Sequence, residues 1–455
     1  MNIPPIENAF AHICSACEKK LAQLYPAGIP AAVQKRCSQE LAFLEKSEYT
    51  DDFEIFRLLS DEARKCAVPF YVSGTVSGSF LYYLLGYHCF NPLPTHYYCP
   101  ECGYYEEAPS RLFGIDLPEK TCPECGKTVL ADGFNLSPES VWGNDGKKIL
   151  SFEYRVSSEF LPFARRMLTK LYPSNSVVPW GMFQMDPGAS PIPGENNFIG
   201  VGLTGYAILP SKHTLEDYPD LTSCLENGDP CVTGGGWELR SHFLKPVYLI
   251  PLKHAELLLR LQRATGIYID EISLAELKNI EWNQIYHTSL LDQATGTLFH
   301  EAKPRTYREM AALLACSRNS YTWIKPKDKM DYFQYQKMTS SPAFQKYPCF
   351  TRDDFFECLL EEGAERTFAF EVSERIRKGQ ANPQNLMYDK FKALPIPEEL
   401  KEVAENYQYL FPRSHCIWIL LQYARLAYYA RADRRAFAKI ALNRGKTDRY
   451  FYYSY

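Results

Sequence analysis

Two Cys-Pro-Glu-Cys turns, Cys99–Cys102 and Cys122–Cys125, stand nineteen residues apart in this chain. Each turn aims two thiolates at one point, so the pair supplies four sulfurs at the spacing of a tetrahedral Zn²⁺ site. Gly103 and Gly126 follow the turns and let the backbone double back, so that its amides can face the sulfurs. A pair of disulfides or two separate redox turns would use the same residues, but paired CPxC knuckles at this separation favour zinc. Four thiolates leave no open coordination position, which makes the ion structural and not catalytic. Binding of this kind contributes about 10–16 kcal/mol of apparent free energy, enough to fold an insert that would not hold together alone.

The remaining composition narrows the setting. The chain has 455 residues, room for two to four domains with sizeable cores, and is rich in Tyr (32) and Phe (27). Its net charge of −4 supplies no global positive field, so any nucleic-acid contact must be local. Eleven of the 15 cysteines lie outside the knuckles without a disulfide-framework spacing, which points to a reducing, cytoplasmic setting. A third CxxC, Cys14 and Cys17, lacks Pro and Gly and sits in a helical pattern, where a buried helix face is favoured over a redox pair. The start, MNIPPIENAF, has no basic segment followed by an apolar run and does not read as a signal peptide. The longest apolar stretches, 417–421 and 247–250, are too short to span a bilayer, so no membrane partner is expected.

Taken in order, residues 1–70 read as helical, with apolar spacing of three and four over 33–44 and 53–66. A short apolar strand then meets the turn Ser73-Gly74-Thr75-Val76-Ser77-Gly78-Ser79 and a helix start. That geometry can present amides and hydroxyls to a phosphate, through Ser73, Gly74, Ser77, Gly78 and Ser79; a tight turn without a ligand uses the same residues. Beyond the insert, 148–156 reads as a buried strand and 159–171 as a helix. The Pro/Gly-rich stretch 173–200 reads as a long loop, 201–209 as a strand and 210–236 as a second loop. A strand over 244–252 and a helix over 255–265 closed by Gly266 follow. From 270 onward the pattern is helical: 274–284, 307–315, 352–363, 367–378, 397–410 and 415–441. The end is basic (Arg425, Arg431, Arg434, Arg435, Lys439, Arg444, Lys446, Arg449) with an aromatic tail, 450–455. Such a mixture suits single-stranded nucleic acid or a solvated helix C-terminus equally.

Several of these stretches, in this order, resemble the PolC-type bacterial DNA polymerase III alpha subunit. They are the Gly/Ser turn 72–80 feeding NPLPTHYYCPEC, the second knuckle TCPEC, and DGFNLSPESVWG at 132–143. Then come TGI at 265–267, EAKPRTYREM at 301–310, TRDDFFECLLEEG at 351–363, SERIRKG at 373–379, YLFPRSHC at 409–416 and ARLAYYA at 424–430. The resemblance implies an α+β fold: a polymerase palm with a mixed sheet, helices and an inserted zinc ribbon, followed by helical fingers. The implied parts are a helical N-terminal portion of the palm over 1–70, a palm-like core over 71–270 with the ribbon at 91–126, and fingers over 271–455. The family's exonuclease, other N-terminal domains and C-terminal duplex- and clamp-binding part find no counterpart, and about 50 residues after the palm helix are replaced by the Pro/Gly-rich stretch.

The departures bear on chemistry. Aligned on Ser157-Ser158-Glu159-Phe160, the family's D-x-D pair falls on Ser151 and Glu153, its third metal-binding aspartate on Tyr248, and the Arg beside its phosphate-cradling turn on Ser73. A Gln-His-Pro-Gly-Gly stretch becomes Val201–Gly205. Two-metal phosphoryl transfer needs carboxylates to hold two Mg²⁺ about 4 Å apart, and hydroxyl and phenol oxygens are poor Mg²⁺ ligands. The resemblance therefore implies a catalytically degenerate centre poorly suited to Mg²⁺, although Glu153, Asp145 and Glu159 could in principle rebuild one site. Arg352, Arg413, His415 and Arg425, with Lys303 and Arg305 behind them, match segments whose basic residues reach nucleotide or template; pairing with Asp353, Asp354 or nearby acids explains them as well. Three functions stay open: a silent nucleic-acid- or nucleotide-binding or scaffolding subunit in replication or repair, with DNA or other polymerase subunits as partners; an active DNA-directed DNA polymerase with a rebuilt site; and a pure protein–protein module.

Overall fold

The computed structural model describes residues 3–442 except 88, 109–110, 186–197, 281, 283–292, 325–328 and 385–387. The fold is mixed α+β. Helices α1 (Ala9–Leu24), α2 (Ala31–Glu45) and α3 (Thr50–Lys65) come first and bury their apolar stripes against one another and the sheet. On α1 the stripe is Ile13, Cys17 and Leu21, so Cys17 is buried and Cys14 lies at its margin. On α3 it is Phe53, Phe56, Leu59 and Ala63, and the helix is polarised by Asp51 and Asp52 in its first turn and Arg64 and Lys65 in its last.

Seven strands form the main sheet: β1 (Phe70–Ser73), β5 (Glu153–Val156), β10 (Lys245–Pro251), β7 (Phe198–Ile208), β6 (Val177–Met185), β9 (Pro230–Val232) and β8 (Thr222–Cys224), in that spatial order. Strands β5 and β10 run parallel, as do β6 and β9; the other pairings are antiparallel. Helix α6 (Leu161–Leu171) follows β5, and α8 (Lys253–Thr265) follows β10 and closes on Gly266 in the left-handed conformation. Phe56, Phe70, Tyr154 and Phe160 stack on the face that α3 covers. Beyond residue 270 the chain is mainly helical, built round the buried helix Arg413–Ala432, with a two-stranded ladder of Ser320–Tyr321 and Tyr407–Tyr409 that no local pattern announced.

Four expectations change, the first being the helix over 397–410, which ends at Asn406 and passes into the strand Tyr407–Tyr409, paired with Ser320–Tyr321. The stretch 173–200 is strand over Val177–Met185 and from Phe198 onward, with the intervening 186–197 outside the described residues. Pro179 is tolerated because β6 meets β9 only where Trp180 faces Val232, leaving its other side nearly an edge. Gly181 marks a register shift against β7, and a Cβ there would meet Val201 at 2.3 Å. The loop signals were thus the signals of a bulged edge strand. The second expected loop, 210–236, carries β8 and β9. Of the strand expected over 148–156, only Glu153–Val156 joins the sheet.

The insert forms a three-stranded sheet of β3 (Tyr105–Glu107), β2 (His96–Tyr98) and β4 (Leu130–Asp132). It also fastens the helical part. Asp116 accepts hydrogen bonds from the amides of Tyr307 (2.6 Å) and Arg308 (3.0 Å), capping helix Tyr307–Arg318, and Lys278 donates to the Leu117 carbonyl. Among the described residues, no helix is long and apolar enough to cross a membrane.

A buried carboxylate on α2 anchors the other side of the sheet. Glu40 accepts from Arg36 Nε (2.6 Å), Ser79 Oγ (2.5 Å) and the Phe80 amide (3.0 Å), and so caps α4 (Phe80–Leu85). Its side chain has no solvent exposure and Arg36 has little. Glu40→Ala strands that guanidinium and two donors, and is expected to cost about 3–5 kcal/mol in urea unfolding.

Candidate functional site

Strand register gathers the residues that alignment had scattered over 180 positions. Ser73 on β1 faces Glu153 on β5, Glu153 faces Tyr248 on β10, Tyr248 faces Gly205 on β7, and Gly205 faces Trp180 on β6. Directly opposed residues share one face of a sheet, so this row crosses five strands as a single line. Ser73 Oγ donates to Glu153 Oε2 (2.9 Å), and Arg155, two residues along the same strand, donates to both Ser73 Oγ (2.8 Å) and Glu153 Oε2 (2.6 Å). The carboxylate therefore already has a counter-ion and a hydroxyl donor. Tyr248 packs on Trp180, ring centroids 4.9 Å apart, and its hydroxyl meets Met182 Sδ at 3.4 Å. Burial pushes the Tyr248 phenol up, so it stays protonated at neutral pH.

Ser151 lies two residues before β5 and is tied to the Gly/Ser turn. Its Oγ accepts from the Thr75 amide (3.1 Å), and its own amide donates to Thr75 Oγ1 (2.8 Å). Gly74, at φ +92°, comes so close that a Cβ would lie 2.5 Å from the Ser151 carbonyl oxygen. The Gly74 amide donates to His415 Nε2 (3.0 Å), Ser77 Oγ donates to the Gly74 carbonyl, and Ser79 and the α4 amides turn to Glu40; Gly78 packs on Val141 and Leu136. The donors that could cradle a phosphate are thus spent on partners within the protein, and Glu40 holds the position an anion would take.

The four basic residues of the helical part lie inward. Arg413 is fully buried and pairs with Asp354 (2.7 Å) and Glu357; Arg352 pairs with Glu374 (2.7 Å) and Asp353 (3.0 Å). Burial would raise Asp353, but Arg352 and Arg413 outweigh it and hold the carboxyl down at about 2. Arg425 is buried with its guanidinium 5.9 Å from the Tyr71 ring. Ion pairing therefore accounts for Arg352 and Arg413 as they stand. His415 alone reaches the row, through Gly74. Lys303 lies at a left-handed turn (φ 49°), and Arg305 donates its amide to Glu309 (2.6 Å). Of the basic C-terminal run, residues from 443 onward lie outside the described residues.

The acids available for rebuilding a metal centre are occupied. Asp145 binds the amide and ammonium of Lys147, and Glu159 makes two bonds to Arg263 (2.8 and 2.7 Å). Among the described residues, the one group of three or more His, Cys, Asp or Glu whose ligand atoms converge is Cys99, Cys102, Cys122 and Cys125. Their sulfurs lie within 4.8 Å of one another, with Cys99–Cys125 and Cys102–Cys122 at 3.5 Å. A tetrahedron with metal–sulfur bonds of about 2.3 Å has edges near 3.8 Å, so the four fit one structural metal ion. The Gly103 amide donates to the Cys99 carbonyl and the Gly126 amide to the Cys122 carbonyl, both at 3.0 Å, which closes each knuckle.

At the end of the row, between the segment leading into β5 and the start of β10, opens a cleft of about 790 Å³ lined among others by Tyr49, Asp52, Ser151, Glu153, Trp237, Lys245 and Tyr248.

Curated relatives carry one name throughout. The chain aligns at 24% identity over 475 positions with the DNA polymerase III PolC-type of Thermotoga maritima, at 22% over 474 with that of Caldanaerobacter subterraneus subsp. tengcongensis, and at 24% over 480 with that of Bacillus subtilis. Each alignment covers 94% of this chain. The chain resembles PolC-type DNA polymerase III. It spans about a third of the length of these relatives (34%, 33% and 32%), and no protein-family model matches it.

Against the PolC-type resemblance, sequence reasoning missed Arg155, Glu40 and the His415–Gly74 contact. Arg155 carried a usable signal: its spacing of two from Glu153 puts both on one face of a strand. Glu40 carried none, because nearly forty residues separate it from the amides that it caps.

Two measurements check these environments. Burial, reinforced by Arg155, Arg377 and Arg352, pushes the His415 imidazole down to about 4 against a pull upward from Glu153. Its folded value lies below the unfolded value of about 6.5, so the unfolded chain takes up the proton first. Stability from this residue is present above about pH 6.5 and lost as pH falls towards 4. His415→Gln should flatten the pH dependence of urea unfolding in that window. Elemental analysis should find one metal per chain, and none in Cys122→Ser, with thermal unfolding shifted several degrees lower.

Proposed function

We propose that this chain is a catalytically silent PolC-like protein, a pseudo-polymerase that serves as a nucleic-acid- or nucleotide-binding or scaffolding subunit in DNA replication or repair. On this reading 71–270 is a palm with a ribbon insert, 1–70 its helical N-terminal part and 271–455 a fingers domain. The ribbon ion is structural zinc, the donor set of four thiolates being the one zinc favours. The protein is cytoplasmic, where DNA and the other polymerase subunits are its natural partners.

One observation carries the reading. The three positions aligned with metal-binding aspartates hold a hydroxyl tied to Thr75, a carboxylate neutralised by Arg155, and a phenol stacked on Trp180. Two-metal transfer needs charge at these positions to hold Mg²⁺ against water and to neutralise the triphosphate. Each metal withdrawn removes several kcal/mol of transition-state stabilisation, roughly a thousandfold in rate. Ser73 carries no charge, and Arg155 beside it turns its guanidinium inward onto Ser73 and Glu153.

Primer extension with purified chain, all four dNTPs and Mg²⁺ or Mn²⁺ tests this. The expected outcome is no incorporation above background, unchanged by Glu153→Gln. Robust incorporation that Glu153→Gln abolishes would mean an active polymerase with a rebuilt centre. Binding to primer–template DNA should be modest and should weaken steeply with salt, because a chain of net charge −4 can offer phosphates only local cations.

A further inference from the structure

We infer that the cleft at the end of the strand row is a docking groove for a peptide segment of a partner protein that carries Lys or Arg among apolar side chains. The inference builds on a silent palm, since a working one would need this space for primer and nucleotide.

The first support is the cleft's rim. Eleven large hydrophobic side chains are exposed among the described residues, and four of them, Ile149, Met182, Trp237 and Phe243, line this one cleft. Scattered exposed apolar residues need no explanation, but a cluster along one groove marks an interaction surface. Trp237 is the most prominent at 74% exposure. Rings at a rim offer faces to an arriving cation as well as area to an apolar chain.

The second is backbone strain spent on one of those rings. Helix α7 (Gly236–Ser241) ends in a reversal in which the Phe243 amide donates to the Arg240 carbonyl and the Leu244 amide to the Leu239 carbonyl, both at 3.0 Å. The residue at the turn must adopt the left-handed conformation, and helices of this kind nearly always place Gly there. Here it is Phe243, at φ +64° and 56% exposed. A bulky residue at such an angle is strained and, facing solvent, gains little packing in return. A function that uses the ring explains why the strain is kept.

The third is charge. The cleft is lined by four carboxylates, Glu48, Asp51, Asp52 and Glu153, against two cations, Arg240 and Lys245. Lys245 is shared between Asp51 (3.5 Å) and Asp52 (3.3 Å), and Arg240 lies 4.0 Å from Asp52. Even with Arg155 set against Glu153, the acids remain in excess by one. Each acid but Glu48 thus has a cation beside it, and the single negative charge in excess favours a cationic side chain over a triphosphate or a nucleic-acid backbone.

Fluorescence anisotropy on the full chain tests the inference, with a labelled twelve-residue peptide of alternating Arg and Phe separated by glycines as the probe. A matched peptide with Glu for Arg, and dATP, serve as competitors. Expected are binding of the basic peptide, at least tenfold weaker binding of the acidic one, no competition by dATP, and at least tenfold weakening by Trp237→Ala and by Phe243→Gly. Phe243→Gly is the decisive variant: relief of the left-handed strain should leave its unfolding midpoint unchanged or raised, so that lost binding cannot be lost folding. No binding of the basic peptide, equal binding of the acidic one, competition by dATP, or full binding to Phe243→Gly would each overturn the groove. None of these outcomes bears on nucleotide incorporation, so the groove can fail while the silent palm stands; incorporation in primer extension would remove the silent palm directly.

Discussion

The parallel pairing of β5 with β10, extended by β1 on one side and β7 on the other, decides what the centre of this protein can do. It fixes Ser73, Glu153, Tyr248, Gly205 and Trp180 in one line on one face, whatever their side chains are. A sheet cannot move one member of such a row without shifting register, and a slip by one residue would turn every side chain to the other face. The placement of these five positions is therefore independent of the side chains they carry. What changes is the content of the row, and with it the electrostatics: Arg155 and Ser73 close round Glu153, while Tyr248 turns to Trp180 and Met182.

The same logic holds at the two ends of the sheet's surroundings. At one end Glu40 takes the anion's place at the α4 amides; at the other Asp116 caps helix Tyr307–Arg318 from within the ribbon. Both are buried or half-buried carboxylates doing, within the chain, what a bound phosphate could otherwise do at a helix start. The ribbon then has a mechanical task that does not depend on catalysis. If its four cysteines lose their ion, the cap on that helix loosens too, which links the small sheet to the helical part.

How much of this was legible depended on whether the signal was local. The four cysteines were, since two CPEC turns carry their own geometry and converge as the spacing requires. The juxtaposition of Ser73, Glu153 and Tyr248 was visible through family resemblance alone, because strands 80 and 95 residues apart leave no local trace of their pairing. The edge strand β6 was hidden by its own devices: Pro179 and Gly181 read as loop residues, yet Pro is tolerated where a strand is barely paired and Gly is needed where Val201 comes too close. The basic residues Arg352 and Arg413 looked equally suited to phosphate and to acids; only the positions of Glu374, Asp354 and Glu357, distant in sequence or across a helix, decide which partner they hold.

A metal centre on this row would need more than one substitution. An aspartate at 248 would bring a second carboxylate one strand spacing, about 5 Å, from Glu153, with Arg155 as the one adjacent cation and Trp180 beside it. Without a metal, like charges at that distance in a half-buried setting raise one another's pKa and destabilise the folded state. An aspartate at 151 would stand beside Gly74 and Thr75, in place of the hydroxyl that now accepts from the Thr75 amide. Magnesium binding would need both acids at once, and Arg155 would have to let go of Glu153 as they appear. The electrostatics of the row therefore favour the present pairing of Glu153 with Arg155 over a single-step approach to a metal centre.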